Sequence, residues 1–200
     1  MGKGTLTRER IIGRAVELAS TEGLNGLTLG KLADGIGMSK SGLFAHFRSK
    51  EELQRSVLEA AIDSFRRFVY EPAAATERGE PRLRVIFERW LSWSEEREEM
   101  PGGCLIMQVS TELDDQPGPL RDLLAQAKRD WRQTLIVFAR GGVSAGHFRA
   151  DLDPALFAFQ LEAIVLGSGH DRRLLNDPLA LTHARAAFDA LLKAAHPTST

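Results

Sequence analysis

The fold of this chain is decided by residues 28–50, which read TLGKLADGIGMSKSGLFAHFRSK. Apolar residues recur at helical spacing before Gly37, so this stretch predicts a short helix with one apolar face. Gly37 then allows a turn at positive φ, which a residue without Cβ adopts at little steric cost. Thr28 and Ser39 are each placed to cap a helix, because a side-chain hydroxyl can accept hydrogen bonds from the first backbone N–H groups. The pattern therefore predicts a helix-turn-helix.

The second of these helices is predicted to have two different faces. Leu43 and Phe47 are expected to point inward. The outward face is small and basic at its start and consists of Lys40, Ser41, Gly42, Ala45 and His46. Small residues let a helix come close to base edges in the major groove of DNA. Lys40 can donate to guanine or to a phosphate, and the sequence leaves both alternatives open.

Composition limits the classes of protein that this chain can belong to. It has 200 residues, a formal net charge of −1 and 43% hydrophobic residues, which is typical of a soluble globular protein. Residues 1–55 carry a net charge of +3 and residues 56–200 a net charge of −4, so we expect only the first quarter to meet phosphate. Membrane-length apolar runs and a signal peptide are not evident. We therefore expect a cytoplasmic protein with no membrane association, and the single Cys104, which cannot form an intrachain disulfide, fits that reducing compartment.

Helical periodicity continues through the rest of the chain, interrupted at Pro and Gly. Ser49 and Glu52 predict a capping box at the start of a long helix. The whole pattern predicts an all-α fold of about nine helices, over residues 7–21, 28–47 (a pair), 50–70, 82–97, about 104–113, about 120–145, about 154–170 and 178–195. We predict a three-helix helix-turn-helix DNA-binding domain over residues 1–50 and a helical ligand-binding and dimerisation domain over residues 51–200, with the 50–70 helix linking them.

The two last helices predict a homodimer. Residues 154–170 are apolar on almost every side, and such a helix must be covered on every side. A second copy of the chain can supply that cover as a four-helix bundle across a two-fold axis. The residues predicted to form the interface are Phe157, Leu161, Val165, Leu181, Ala184, Phe188 and Leu191.

Large apolar residues between positions 65 and 164 suggest a pocket for a small-molecule effector, because pockets between helices are mostly apolar with a few polar groups. Ordinary core packing is the more common reason for any one of these residues, and both interpretations stay open. The candidate ligand-binding residues are Phe65, Phe68, Trp90, Trp93, Cys104, Met107, Gln108, Thr111, Trp131, Phe138, Gln160 and Ile164.

Residues 7–58 resemble the N-terminal domain of the tetracycline-repressor (TetR) family of bacterial transcription regulators. The strongest matches are GMSK at residues 37–40 and LFAHFRSKEEL at residues 43–53, and the connector GLNGLT at residues 23–28 also matches. The remainder of the chain fits that family more loosely, as an all-helical region that ends in two dimerisation helices.

The resemblance implies a homodimer that binds a palindromic operator and usually represses, with an effector that moves the two reading heads apart. We expect the coupling to run through the 50–70 helix. The family usually has tyrosine at position 44, whose hydroxyl reaches a phosphate, and Phe44 cannot make that bond. The residues that we expect to face DNA are Thr28, Ser39, Lys40, Ser41, Gly42, Phe44, His46 and Lys50.

Other functions receive less support from the sequence. The histidines show no metal-ligand spacing with Cys104, no cofactor is implied, and no nucleophile–base pair suggests an enzyme. The alternative that we retain is a ligand-binding or thiol-redox sensor with little or no operator binding. A reactive thiol would require exposure and a lowered pKa at Cys104.

Overall fold

The computed structural model describes residues 3–95 and 100–197, and its regular elements are helical. The described helices are α1 (Lys3–Gly26), α2 (Leu29–Ile36), α3 (Lys40–Phe44), α4 (Lys50–Phe65), a π-helical turn (Arg66–Tyr70), α5 (Glu71–Ala74), α6 (Glu80–Ser94), α7 (Leu105–Glu112), α8 (Pro119–Ser144), α9 (Pro154–Leu174) and α10 (Ala180–Ala195). The predicted all-α fold is confirmed. The last residues of the predicted 82–97 helix lie outside the described residues.

Helix α1 is longer than predicted and contains a sharp kink at Gly23. This residue has φ 76° and ψ 169°, a conformation that favours glycine. Beyond the kink, Leu24 and Leu27 are fully buried and tie the short connector of residues 23–28 to the core. The regular part of α1 therefore ends before Gly23, close to the end of the predicted helix at residue 21.

The predicted capping box at the start of α4 is half correct. The hydroxyl of Ser49 accepts a hydrogen bond from the Glu52 N–H at 3.1 Å, as expected. The Glu52 carboxylate accepts instead from the Arg48 N–H, at 2.9 Å. The side chain thus satisfies the backbone donor that precedes the cap residue, one position earlier than the standard box.

The predicted 50–70 helix is α-helical only as far as Phe65. Residues Arg66–Tyr70 widen into a π-helical turn, and Pro72 follows in α5. A proline ring clashes with the carbonyl four residues before it and provides no N–H, so regular α-helix cannot continue up to Pro72. The wider turn lets the chain stay helical through this point.

Two compact units divide the chain. Unit one consists of Met1–Phe65 and Glu95–Gln126, and unit two consists of Arg66–Ser94 and Ala127–Thr200. Packing therefore groups α7 with the first four helices. The functional boundary that the sequence predicts near residue 50 stays a prediction, because compactness and function need not follow the same border.

The core of unit one depends on a close approach between α1 and the segment before α7. The Gly102 N–H donates to the Ser20 hydroxyl at 3.0 Å, and that hydroxyl donates to the Glu17 carbonyl at 2.7 Å. A Cβ atom on Gly102 would lie 1.4 Å from the Ser20 carbonyl oxygen. Only glycine allows the two backbones to meet here, and Leu105 and Val109 of α7 then join the buried core below α1.

Unit two is stabilised by aromatic packing and by a buried charge. The rings of Phe87 and Phe188 stack with centroids 4.0 Å apart, which joins α6 to α10. Glu162 of α9 is only 4% exposed, and Arg132 of α8 donates to its carboxylate at 2.6 Å while the ammonium of Lys128 lies 3.6 Å away. An acid buried this deeply requires such partners, since an unpaired buried charge is strongly destabilising.

A surface network connects the start of α6 to α10 and to the residue after it. Burial alone would raise the pKa of Glu80, but hydrogen bonds from His196 and Arg84 outweigh it, so the pKa of this carboxyl lies below its usual value. The His196 Nε2 atom lies 2.6 Å from Glu80 and the Arg84 Nε atom 2.8 Å from it. Arg84 also contacts Asp189 of α10 at 2.8 Å. The carboxylate therefore helps to hold the C-terminal end of α10 in place.

The structure shows how far a single protomer already buries each residue that was predicted to form the dimer interface. Five of the seven residues lie in the core of a single protomer, at 4% exposure or less, and the other two are half-buried. Because residues 154–170 are mostly apolar, their periodicity could not tell which side the protomer itself covers. The buried residues are Phe157, Leu161, Val165, Ala184 and Phe188, and the half-buried ones are Leu181 and Leu191. Among the large apolar residues of α9, Leu156, Phe159 and Leu174 are exposed, at 53%, 57% and 65%.

Among the described residues, no helix is both long enough and apolar enough to cross a bilayer.

Replacing Gly102 tests the close approach of the two backbones. We expect Gly102→Ala to lower the free energy of unfolding by about 3 kcal/mol, because the new methyl group meets backbone that cannot rotate away. Gly13→Ala is the matched control, since nothing lies within 4 Å of its Cβ position. That control should be neutral or stabilising by up to about 1 kcal/mol. Urea denaturation measures both, and equal stability of the two variants would contradict the assigned packing.

Candidate nucleic-acid interface

The turn between α2 and α3 is fixed by backbone hydrogen bonds. Gly37 has φ 65° and ψ 30°, and its N–H bonds to carbonyls in the last turn of α2. The Met38 N–H donates to the Ala33 carbonyl at 3.0 Å. These bonds satisfy carbonyl groups that would otherwise end the helix unpaired, and they set the direction in which the chain leaves α2.

Helix α3 has only five residues and is held from both ends. At its start the Ser39 hydroxyl accepts a hydrogen bond from the Gly42 N–H at 3.1 Å. Leu43 and, just after the helix, Phe47 are fully buried, which confirms the predicted inward face. The guanidinium of Arg8 in α1 lies 4.7 Å from the centre of the Phe47 ring, where a cation is attracted by the π face.

The opposite face of α3 is open to solvent. Lys40 and Ser41 are exposed and Phe44 is 50% exposed, while Gly42 and His46 are half-buried. Lys40, Ser41 and Phe44 are thus exposed on a short, anchored helix, and His46 follows two residues after its end.

The structure also brings Lys40 close to the start of α2. A Cβ atom on Gly30 would lie 3.7 Å from the Lys40 ammonium and 4.0 Å from the Thr28 hydroxyl. That hydroxyl accepts from the Lys31 N–H at 3.2 Å, which confirms the predicted cap. A cation, a hydroxyl and the first N–H groups of a helix are therefore neighbours, a combination that suits a phosphate.

Lys50 has a partner within the chain. Its ammonium donates to the Asn25 carbonyl in the α1–α2 connector at 2.8 Å. The side chain is still exposed, so a phosphate contact by Lys50 stays a prediction. Its structural role is to fasten the connector to the start of α4.

Sequence reasoning missed Glu112, the last residue of α7. In the sequence, Glu112 is marked only by two nearby acidic residues, Asp114 and Asp115. In the structure, its carboxylate accepts hydrogen bonds from the N–H groups of Leu24 and Asn25. The partners lie 88 and 87 positions away in the chain, a separation at which local pattern carries no information.

The candidate effector residues are divided between the two compact units. Unit two brings the rings of Trp90 and Trp131 together at 5.0 Å in a T-shaped arrangement, and those of Phe68 and Trp93 at 5.6 Å. Ile164 is half-buried there, and Phe138 is 7% exposed. The candidates in unit one are Phe65, Cys104, Met107, Gln108 and Thr111.

Two of these candidates are on the surface. Gln160 lies beside the buried Leu161 on α9, and Thr111 lies near the end of α7; both side chains are exposed. Helical periodicity turns each polar side chain away from the apolar face of its helix. Gln108 is half-buried and donates its amide to the Gly102 carbonyl, so it stabilises the turn before α7.

Metal binding receives no support: within the residues that the structure describes, no cluster of three or more His, Cys, Asp or Glu side chains could hold an ion.

Comparison with known families gives two matches along the chain. The family described as "Bacterial regulatory proteins, tetR family" matches residues 11–57. The family described as "Tetracyclin repressor-like, C-terminal domain" matches residues 79–188. Together they include the helix-turn-helix and most of the helices that follow it.

Individual relatives agree with those matches. The HTH-type transcriptional repressor KstR2 of Mycobacterium tuberculosis is 26% identical over 155 residues, which cover 76% of this chain and 74% of the relative. A TetR transcriptional regulator from Chloroflexus aurantiacus superposes with a TM-score of 0.85 at 26% identity, over 96% of each chain. AibR, solved with isovaleryl coenzyme A and operator DNA, has a TM-score of 0.70 at 20% identity, over 95% of this chain and 98% of its own.

Removing the cap of α3 tests how this helix is held. We expect Ser39→Ala to lower the free energy of unfolding by about 1 kcal/mol, because the Gly42 N–H loses its acceptor, whereas Ser39→Thr should retain most of the stability. Ser41→Ala is the control, since the Ser41 hydroxyl pairs with the Ser39 hydroxyl at 3.1 Å, whereas the Gly42 N–H bonds to Ser39. Chemical denaturation measures all three, and an equal loss in Ser39→Ala and Ser41→Ala would argue against the cap.

Proposed function

This chain belongs to the tetracycline-repressor (TetR) family of bacterial transcription regulators, and from that membership we propose that it is a homodimeric repressor that leaves a palindromic operator when a small apolar or amphipathic effector binds. The family match confirms the predicted DNA-binding regulator with a helix-turn-helix. It also confirms the prediction that the protein is not an enzyme, since the matched relatives are named transcriptional repressors. The homodimer, its release from the operator and the chemical class of the effector are what we propose beyond the family membership.

The open face of α3 is the observation that carries the DNA-binding proposal. Lys40 is exposed at the first turn, on a helix whose opposite side is fixed by fully buried Leu43. A rigid backbone holds an exposed cation where it can reach base edges or phosphates in the major groove. Half-exposed Phe44 offers apolar contact to sugar and to thymine methyl groups in place of a tyrosine hydroxyl.

The distribution of charge supports the same orientation. The first 55 residues carry a net charge of +3 and the remainder a net charge of −4. The polyanionic duplex therefore attracts the net-basic residues of the helix-turn-helix more than the net-acidic remainder of the chain.

Exposed apolar side chains on α9 and just beyond it support the dimer. Leu156 and Phe159 are more than half exposed, as are Leu174, Leu175 and Leu179. Large apolar side chains in this number indicate a surface that another molecule covers. We propose that a second copy covers them and sets the two reading heads about 34–36 Å apart, or a little more, to match successive major grooves.

An effector in the helical C-terminal region would favour one spacing of the heads over another. A ligand shifts operator affinity only by its differential affinity for the two states. The aromatic pairs of unit two favour an apolar or amphipathic molecule. Because Cys104 is only 5% exposed, the thiol-sensor alternative has little support from the structure.

We place the protein in the cytoplasm, where DNA and metabolites are both available.

Lys40→Ala tests the DNA-binding surface. An operator is first selected from random duplex DNA with the full-length wild-type protein, and its affinity is then measured at several salt concentrations. We expect Lys40→Ala to weaken binding and to reduce the slope of log K against log salt by about 1. Relaxed preference at one base pair would identify a guanine contact, and a uniform loss over all sequences a phosphate contact.

Lys193→Ala is the control for this experiment, because it removes the same charge from an exposed position in the last turn of α10. Equal operator affinities of Lys40→Ala and Lys193→Ala at matched salt would show that α3 does not read DNA in the proposed way.

Phe159→Glu tests the dimer surface. We expect this variant to sediment as a monomer, since an ionised side chain would have to be buried without a partner when two copies associate. Val137→Glu on α8 is the matched control, because Val137 is 51% exposed and equally apolar in character. Analytical ultracentrifugation at micromolar concentration measures both. A dimeric Phe159→Glu protein would place the interface elsewhere.

A further inference from the structure

Glu112 connects the end of α7 to the backbone that precedes the helix-turn-helix. One carboxylate oxygen accepts from the Leu24 N–H at 2.9 Å, and the other accepts from the Asn25 N–H. A Cβ atom on Gly23 would lie 2.9 Å from the same carboxylate, so the kinked glycine is what allows this close approach. Two parallel donors thus meet the two oxygens of one side chain.

The same two connector residues are also held on their carbonyl side by α4. Gln54 is buried and donates its side-chain amide to the Leu24 carbonyl at 2.7 Å. Lys50 donates to the Asn25 carbonyl at 2.8 Å. The connector is therefore clamped between α7, which supplies acceptors, and α4, which supplies donors.

The clamped segment leads directly to the DNA-facing surface. Three residues after Asn25, Thr28 caps α2 and lies beside Lys40 across Gly30. Lys50, a second candidate phosphate contact, is bonded to the connector itself. A change in the connector would consequently move or release groups that are expected to face phosphate.

We propose that Glu112 is a positioning residue for operator binding: its carboxylate holds residues 24–25 in the arrangement that presents Thr28 and Lys50 to DNA. The proposal rests on the proposed function and deepens it. It adds α7 to the coupling route, because a shift of α7 withdraws the acceptor for both N–H groups at once. Met107 and Gln108, two candidate effector residues, lie on that same helix.

A carboxylate is required at this position for a chemical reason. Glutamine offers one oxygen to one N–H group and turns its own NH₂ group toward the other, so a donor faces a donor. Aspartate retains the charge, but its side chain is one methylene shorter and cannot reach both donors. Glu112→Gln and Glu112→Asp therefore weaken the clamp in different ways, one with and one without a change of net charge.

The sign of the effect on DNA affinity distinguishes the clamp from general electrostatics. Removing a negative charge from a DNA-binding protein should tighten its binding to a polyanion. The clamp requires the opposite result for Glu112→Gln, namely operator binding about tenfold weaker. Asp115→Asn is the matched control, because it makes the same change of charge at an exposed position three residues further on.

The experiment measures operator dissociation constants for the full-length wild type and the three variants at one salt concentration. Amide hydrogen exchange of Leu24 and Asn25 is followed in the absence of DNA. We expect Glu112→Gln and Glu112→Asp to bind less tightly and to exchange faster at these two amides, and Asp115→Asn to match the wild type in exchange and to bind equally or more tightly.

Glu112→Gln and Glu112→Asp proteins that bind the operator as tightly as wild type would overturn the proposal, even if their melting temperatures fall, because Glu112 would then be only a structural residue. Unchanged exchange at Leu24 and Asn25 would overturn it as well. A wild-type protein that selects no operator would instead refute the proposed function, a result that the variants do not influence.

Discussion

Burial of Leu43 and Phe47 is the interaction on which the DNA-reading surface depends. A helix of five residues is not stable by itself in water, so α3 exists only because its inner side is part of a core that α1 and α4 complete. Ser39 satisfies an N–H group at its start, and Arg8 covers the Phe47 ring at the other end. Lys40 and Phe44 are thereby presented on a backbone that does not have to be ordered when DNA binds, which reduces the entropy lost on association.

Local chemistry was predictable from the sequence, because it depends on residues a few positions apart. The caps at Thr28 and Ser39, the turns at Gly23 and Gly37 and the inward face of α3 all follow from spacing and residue type. The family motif pointed to the same helices, and the family match agrees with it. The helix-turn-helix could therefore be identified from the sequence alone.

Contacts between distant residues were not predictable in this way. Nothing near Gly102 in the sequence shows that Ser20 lies against it, and nothing near Glu112 points to Leu24. The mostly apolar pattern of residues 154–170 could not separate contacts within one protomer from contacts between two, and it gave no sign that Glu162 is buried beside Lys128 and Arg132. Periodicity identifies apolar faces, but only the three-dimensional packing decides which of those faces is buried within the protomer.

The inclusion of α7 in the core of unit one limits how this protein can evolve. Leu105 and Val109 fill the space beneath α1, and Glu112 caps the connector that α1 leads into. A chimaera that took residues 1–65 from this chain and the remainder from another regulator would expose that apolar surface and leave two amides without acceptors. The helix-turn-helix is consequently inherited together with α7, which comes from the second half of the sequence. New DNA specificities therefore arise more readily by substitution on α3 than by exchange of whole segments.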